Sequence, residues 1–127
     1  MEFEQNILVV DDDPTVLETI CEGLLMHGFN VIPAKNPPDA LNKIADKNVN
    51  YALLDLDLGF PDMNVIELGH KLKSVIPGIV ILIMTGYHNV KIAIEATREH
   101  SYYHMIKPFQ VDQLLTMMEQ VKRENDL

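Results

Sequence analysis

The sequence has little of several features that define particular classes of protein. Among its 127 residues there is no tryptophan and a single cysteine, Cys21. Because one cysteine cannot form a disulfide within the chain, we expect a reducing compartment, the cytoplasm. No apolar run approaches the length of a membrane span, and the first residues lack the basic start of a signal peptide. We therefore expect neither a membrane segment nor a secretory leader.

Positive charge is also scarce. The chain has 10 Lys and Arg residues against 19 Asp and Glu residues, which gives a formal net charge of -9. Nucleic-acid phosphates would be repelled by this excess of acids, so we expect no direct binding to nucleic acid. There is no internal repeat, low-complexity tract or linker. The length suits one domain over residues 1–127, with a polar tail from about residue 122.

What the sequence does have is a series of short apolar runs that each end on a polar residue. Residues 7–10 precede Asp11 and Asp12, residues 51–54 precede Asp55, residues 79–84 precede Thr85, and residues 102–106 precede Lys107. Such runs, between segments with helical periodicity, are typical of buried parallel strands. Because ligands bind beyond the carboxyl ends of parallel strands, we expect these polar side chains to meet at one edge of a sheet.

The segments between the strands have the pattern of amphipathic helices. Asp13 and Pro14 form a helix start, with Asp13 as the N-cap, which leaves Asp11 and Asp12 free at the strand end. The first helix is expected to bury Leu17, Ile20, Cys21, Leu24 and Leu25. Five strands alternating with five helices predict an α/β fold, a doubly wound (βα)5 sandwich with a parallel sheet. The flavodoxin-like strand order 2-1-3-4-5 is the natural choice.

The acids at the strand ends predict a cation site. Two like charges ~4 Å apart repel by roughly 4 kcal/mol at an effective dielectric constant of about 20, so three ionised carboxylates require a cation. Oxygen ligands at a hydrated site suit Mg²⁺. An aspartate beside Mg²⁺ can attack a phosphoryl donor, and a lysine and a threonine can stabilise the charge that develops on the phosphoryl oxygens.

Four motifs resemble those of bacterial response-regulator receiver domains, and the likeness covers essentially the whole chain. They are Ile7-Leu8-Val9-Val10-Asp11-Asp12-Asp13-Pro14, Leu53-Leu54-Asp55-Leu56, Ile83-Met84-Thr85-Gly86 and Lys107-Pro108-Phe109. The resemblance implies a two-component signalling protein that accepts a phosphoryl group from a sensor histidine kinase or a phosphotransfer protein. Such a protein is not an enzyme in the usual sense, because it catalyses only its own phosphorylation and dephosphorylation.

The resemblance also implies a role for each matching residue. The Mg²⁺ ligands would be Asp12, the Asp55 carboxylate, the backbone carbonyl of Asp57 and, largely through water, Asp11. Lys107 would pair with the phosphoryl group, and Thr85 would reorient to hydrogen-bond it. Gly86 would leave room for the phosphate, and the peptide bond before Pro108 would be cis.

The phosphoacceptor itself could be Asp55 or Asp57. The family pattern fits forward from Asp57 without a gap, which places Pro61 and Glu67 where they are expected. The strand pattern instead favours Asp55, because an acid two residues earlier on the same face would otherwise lie buried within the strand. We therefore predict Asp55 as the acceptor, with a longer loop after it and Asp57 beside it.

Two positions depart from the family pattern. Asn64-Val65 stands where a loop glycine is expected before the third helix. His104 occupies the position where the family has a switch aromatic, Tyr or Phe, and Tyr103 lies next to it. The surface formed by the fourth helix, fifth strand and fifth helix is expected to bind a partner or a second copy of the chain.

Two other functions compete with the receiver. The segment from Leu53 to Asp57 also resembles the D-x-D nucleophile motif of haloacid-dehalogenase-type phosphatases, which act on small phosphate esters. Their remaining acids usually follow the lysine, whereas here the acidic pair comes first, and the chain has no room for a substrate-selecting cap. The third reading is a degenerate receiver that serves only as a docking module. Such receivers usually lack an acid, the threonine or the lysine, and this chain has them all.

Overall fold

The computed structural model of the chain describes residues 5–57, 63–100 and 102–125, apart from the side chains of Tyr87 and Asn125. The strands are β1 (Asn6–Val10), β2 (Asn30–Ala34), β3 (Tyr51–Asp55), β4 (Val80–Thr85) and β5 (Tyr103–Ile106). The helices are α1 (Pro14–Met26), α2 (Pro37–Lys43), α3 (Val65–Val75), α4 (Val90–His100) and α5 (Val111–Asn125), with a short 3₁₀ helix (Tyr87–Asn89) before α4.

These described residues form one parallel sheet in the order β2-β1-β3-β4-β5. The predicted α/β class, parallel sheet and flavodoxin-like strand order are therefore confirmed. The predicted position of Pro61, within the loop that follows β3, lies outside the described residues. None of the helices in the described ranges combines the length and the apolar character needed to cross a membrane.

Both faces of the sheet are buried. Alternate residues of a strand point to opposite faces, and in β1 Leu8 and Val10 pack towards α2 and α3, whereas Ile7 and Val9 pack towards α1 and α5. The strands β1, β3 and β4 therefore read as continuous apolar runs, as expected for a parallel sheet covered by helices on both sides. The first polar side chains come where these strands end.

Polar side chains cap the N-termini of α1 and α3, and the cap of α1 is the predicted Asp13. The Asp13 carboxylate accepts hydrogen bonds from the backbone N–H groups of Thr15 (2.9 Å) and Val16 (3.3 Å) at the start of α1. Asn64, at the position where the loop glycine was expected, caps α3 by accepting from the Glu67 N–H at 2.9 Å. Capping uses up Asp13 and leaves the two preceding acids at the end of β1.

Two expectations about helix surfaces need correction. Leu25 does not belong to the buried stripe of α1, since 57% of it is exposed, whereas its neighbour Leu24 is fully buried. A successive residue lies about 100° further round a helix, so the two leucines cannot both face the core. The polar residues predicted as a tail from about residue 122 instead continue α5 as far as Asn125.

Candidate functional site

Three predicted acids meet at the carboxyl edge of the sheet. Asp11 and Asp12 follow β1, and Asp55 is the last residue of β3, which is adjacent to β1. Asp11 and Asp55 are only 1% and 3% exposed, and Asp12 is exposed. One carboxylate oxygen from each of the three lies within 4.8 Å of the others. This spacing allows one small cation to contact all three.

Local backbone geometry orients the two buried carboxylates. The Asp13 N–H donates to Oδ1 of Asp11 at 2.9 Å, and the Asp57 N–H donates to Oδ1 of Asp55 at 3.0 Å. In both turns, therefore, the N–H two residues after the acid holds one of its oxygens. The second oxygen of Asp11, Oδ2, is buried without a hydrogen-bond partner among the described residues. A buried carboxylate oxygen without such a partner is usually satisfied by a bound ion or an ordered water.

The electrostatics of the acid cluster also favour a bound cation. The pKa of Asp11 is raised to about 6, chiefly by burial; the Asp55 carboxylate acts in the same direction, while the hydrogen bond from the Asp13 N–H and the charge of Lys107 oppose the rise. Carboxylate oxygens are the ligands preferred by Mg²⁺, which carries its own water ligands into an open site. The exposed Asp12 leaves one side of the cluster open to solvent. The residues present therefore fit Mg²⁺.

Lys107 follows β5, and its ammonium group contacts two of the acids. Its Nζ lies 3.0 Å from Oδ1 of Asp55 and 3.2 Å from Oδ2 of Asp57. Burial acts to lower the pKa of Lys107, but the hydrogen bonds and negative charges of Asp55 and Asp57 outweigh it and raise the pKa. The Lys107 N–H also donates to the Thr85 carbonyl at 2.7 Å, and the Lys107-Pro108 peptide bond is cis.

Thr85 and His104 make separate contacts. The buried Thr85 hydroxyl donates to the Gly86 carbonyl at 3.1 Å. His104 Nδ1 lies 3.0 Å from the Thr97 hydroxyl, which itself donates to the Ala93 carbonyl in α4. His104 must therefore be the donor in its contact with Thr97, and the ring ties β5 to α4.

Tyr103, the neighbouring position predicted for the switch, lies on the other face of the sheet. Its side chain packs against the core between the sheet and the helices α1 and α5. Successive residues of a strand point to opposite faces, so Tyr103 and His104 cannot share one contact surface. Of the two predicted switch residues, His104 is the one that contacts α4.

Asp57 stands apart from the acid cluster and has its own partners, which sequence reasoning did not predict. Its carboxylate accepts hydrogen bonds from the Gly86 N–H at 3.2 Å and from the side-chain amide of Asn89. Although partial burial acts to raise its pKa, the hydrogen bonds from Asn89 and Lys107 dominate and lower it. Asn89 belongs to the 3₁₀ helix after β4, and no sequence motif marks it.

Comparisons with known sequences agree with this arrangement. The sequence profile of the response regulator receiver domain matches residues 7–119. The transcriptional regulatory protein ZraR of Klebsiella oxytoca is 36% identical over 118 residues, which are 90% of this chain and 26% of that protein. The regulatory protein AtoC of Escherichia coli K12 is 31% identical over 86% of this chain and 23% of its own length. The chain thus spans about a quarter of these relatives.

Solved structures show the same fold. A CheY-like response regulator receiver domain protein from Methanospirillum hungatei is 29% identical, with a TM-score of 0.79 over 98% of both chains. NtrX from Brucella abortus, solved in complex with ADP, is 26% identical, with a TM-score of 0.85 over 98% of this chain and 30% of that one. Nearly the whole length of this chain therefore corresponds to less than a third of the longer protein.

Proposed function

Because the chain belongs to the response regulator receiver family of two-component signalling proteins, we propose that it accepts a phosphoryl group on Asp55 from a sensor histidine kinase or a phosphotransfer protein. The observation that supports this most strongly is the convergence on Asp55. Its carboxylate lies in the three-acid cluster and also contacts the ammonium group of Lys107 at 3.0 Å. The proposed nucleophile, Asp55, therefore contacts both the cation site and the positive charge of Lys107.

The metal site in this proposal consists of Asp11, Asp12, Asp55 and the backbone carbonyl of Asp57. Mg²⁺ held there would offset the carboxylate charges and the charge on the phosphoryl oxygens. The buried Oδ2 of Asp11 supports this assignment, because a bound ion or its water would give this oxygen a partner.

The transfer itself is carried out by side chains of the chain. A carboxylate oxygen of Asp55 attacks phosphorus, the bond from phosphorus to the leaving group breaks, and the leaving group departs with the bonding electrons. Lys107 then hydrogen-bonds the phosphoryl oxygens, and the Thr85 hydroxyl turns from the Gly86 carbonyl to do the same. Thr85 lies at the end of β4, and its hydroxyl now donates to the carbonyl of the next residue, Gly86. A rotation of its side chain would therefore be enough to exchange this acceptor for a phosphoryl oxygen.

Asp55 is a better candidate for the acceptor than Asp57. Asp55 is the buried end of β3 and lies in the acid cluster, whereas the Asp57 carboxylate is directed to Gly86, Asn89 and Lys107. The attacking carboxylate needs to contact the cation and the phosphoryl donor at the same time. The position of Asp55 in the acid cluster supports this role for Asp55.

We further propose that phosphorylation changes the surface formed by α4, β5 and α5, where a partner or a second copy of the chain would bind. The hydrogen bond between His104 and Thr97 ties β5 to α4, so a movement of either element is transmitted to the other. The large apolar side chains of Ile92 on α4 and Ile106 on β5 are exposed on these elements. The strongly acidic composition argues against direct nucleic-acid contacts of this surface, and the single cysteine favours the cytoplasm.

Intact-mass spectrometry after incubation with acetyl phosphate tests this function. We expect one added phosphoryl group on the wild type with Mg²⁺ and none with EDTA or in Asp55→Asn. Asp39→Asn is the matched control, because it removes the same charge from a residue of α2 that contacts Lys35 and Lys43 and is not part of the acid cluster, and it should still be phosphorylated. An adduct that persists in Asp55→Asn would refute the acceptor. Continuous release of phosphate from small esters would instead indicate a phosphatase, and no adduct at all would indicate a docking module.

A further inference from the structure

The Asp57 side chain is held by three hydrogen-bond donors from different parts of the chain. They are the Gly86 N–H (3.2 Å) after β4, the side-chain amide of Asn89 in the 3₁₀ helix, and Lys107 Nζ (3.2 Å) after β5. The carboxylate is nevertheless 26% exposed, so burial does not force it into this position. A backbone N–H, an amide and an ammonium group around one anion form what we call the donor pocket.

The donor pocket lies beside the proposed acceptor. Lys107 Nζ contacts Oδ1 of Asp55 at 3.0 Å while it contacts Asp57, and the Asp57 N–H donates to the same Asp55 oxygen. A phosphoryl group on Asp55 would therefore meet the donors that Asp57 already uses. Convergent N–H donors of this kind bind phosphate oxygens as readily as carboxylate oxygens.

The two anions cannot share these donors. Asp55 and Asp57 both contact Lys107, and Asp11 and Asp12 lie in one cluster with Asp55. A bound Mg²⁺ would offset the charge of that cluster, whereas Lys107 is the cation that Asp55 and Asp57 share among the described contacts. Transfer replaces the single charge of the Asp55 carboxylate with a phosphoryl group of up to two charges. A carboxylate that keeps its place in the donor pocket would repel this group and deprive it of Lys107.

We propose that the Asp57 side chain is an internal competitor of the phosphoryl group: it occupies the donor pocket in the unphosphorylated protein and must leave before Asp55 can be phosphorylated. This inference rests on the proposed function of Asp55. Asn89 is a positioning residue in this scheme, because its amide holds the Asp57 carboxylate in the donor pocket without contacting Asp55 through any described hydrogen bond. Release of Asp57 is then part of the barrier to phosphorylation.

Two variants separate this competition from the effect of charge alone. Asp57→Ala removes the competing carboxylate and keeps the backbone carbonyl, whereas Asn89→Ala loosens the carboxylate and leaves every charge in place. Glu67→Gln is the control for loss of one acid, because Glu67 is exposed on α3 and a glutamine keeps the acceptor for the Asn64 amide. The phosphorylation rate with acetyl phosphate should be measured at saturating Mg²⁺, since loss of an acid also weakens metal binding.

A first readout needs neither metal nor phosphate. In the metal-free protein, the Gly86 amide proton should resonate downfield in an NMR spectrum of the wild type because it donates to a carboxylate. It should move upfield in Asp57→Ala and stay unchanged in Glu67→Gln. An unchanged Gly86 signal in Asp57→Ala would mean that the donor pocket is not occupied in solution and would overturn the inference.

The second readout is the rate of phosphorylation. We expect Asp57→Ala to be phosphorylated about tenfold faster than the wild type, which corresponds to about 1.4 kcal/mol, and Asn89→Ala to be faster by a smaller factor. If Asp57→Ala were phosphorylated faster than the wild type while Asn89→Ala kept the wild-type rate, the loss of one negative charge would explain the result, and the competition would be refuted. Equal or slower rates in both variants would also refute it, with the proposed function intact. No phosphorylation of any variant or of the wild type would overturn the proposed function and this inference together.

Discussion

Replacement of Asp11 by asparagine should stabilise the metal-free protein. The Asp11 carboxylate is 1% exposed, its Oδ2 is without a partner in the described residues, and it lies in a cluster with two other acids. An asparagine has the same shape and no charge, and its Oδ1 can still accept from the Asp13 N–H. The substitution therefore removes an uncompensated charge and keeps the local hydrogen bond.

The size of the effect follows from the pKa of Asp11. Burial, reinforced by Asp55, raises this pKa from 3.8 to about 6. At neutral pH, where the group is ionised in both the folded and the unfolded chain, the shift corresponds to a cost of about 3 kcal/mol as an upper figure. Because the folded pKa is the higher one, the cost is absent below the unfolded pKa. It grows as the pH rises from about 4 to about 6 and is complete above that.

Urea unfolding in EDTA at two pH values measures this effect. At pH 7.5 we expect Asp11→Asn to be more stable than the wild type by 1 to about 3 kcal/mol, and at pH 4 only a small part of this difference should remain. Mg²⁺ at ten times its Kd should stabilise the wild type by about 1.4 kcal/mol and the variant by less. A variant that is less stable than the wild type at pH 7.5 in EDTA would refute the reasoning.

Two further predictions concern residues outside the site. Gly69→Ala should lower the free energy of unfolding by about 1 to 3 kcal/mol, because its Cβ would lie 2.6 Å from the Tyr102 hydroxyl, whereas Gly78→Ala, with no atom within 4 Å, should be tolerated; equal melting temperatures of the two variants would contradict this packing. Asp39→Asn should cost less than about 1 kcal/mol at pH 7. Partial burial acts to raise the pKa of Asp39, but the Lys35 N–H and neighbouring lysines lower it, so its stabilisation is present above the unfolded pKa and disappears as the pH falls through the folded one; a difference that persists at pH 2 would contradict the pairing.

The sequence was sufficient to predict the sheet and the acid cluster. A residue that ends a strand lies at the edge of the sheet where that strand ends. Asp11 and Asp55 could therefore be assigned to one edge once the parallel strand order was inferred. The predicted cap of α1 follows an equally local rule, since Asp13 accepts from N–H groups two and three residues away. The Asn64 cap of α3 follows the same rule, although it was not predicted. Local patterns are reliable where the partner is close in the sequence.

Sequence reasoning missed the contacts between distant segments that do not follow from the strand ends alone. The bond between Asp57 and Asn89 joins residues 32 positions apart and depends on how the 3₁₀ helix packs beside the end of β3. The bond between His104 and Thr97 depends in the same way on the rotation of α4. No periodicity or motif encodes such a rotation, because it results from the packing of whole helices on the sheet.

The measurement that tests the central claim most directly is the location of the acyl phosphate. Borohydride reduces an aspartyl phosphate to homoserine, so protein treated with acetyl phosphate and Mg²⁺, then reduced and digested, should contain homoserine at position 55. Peptide mass spectrometry distinguishes this position from Asp57, which is in the same segment. Homoserine at 55 that disappears with EDTA is the result we predict. Homoserine at 57, or a modification independent of Mg²⁺, would contradict the assignment of Asp55 as the phosphoacceptor.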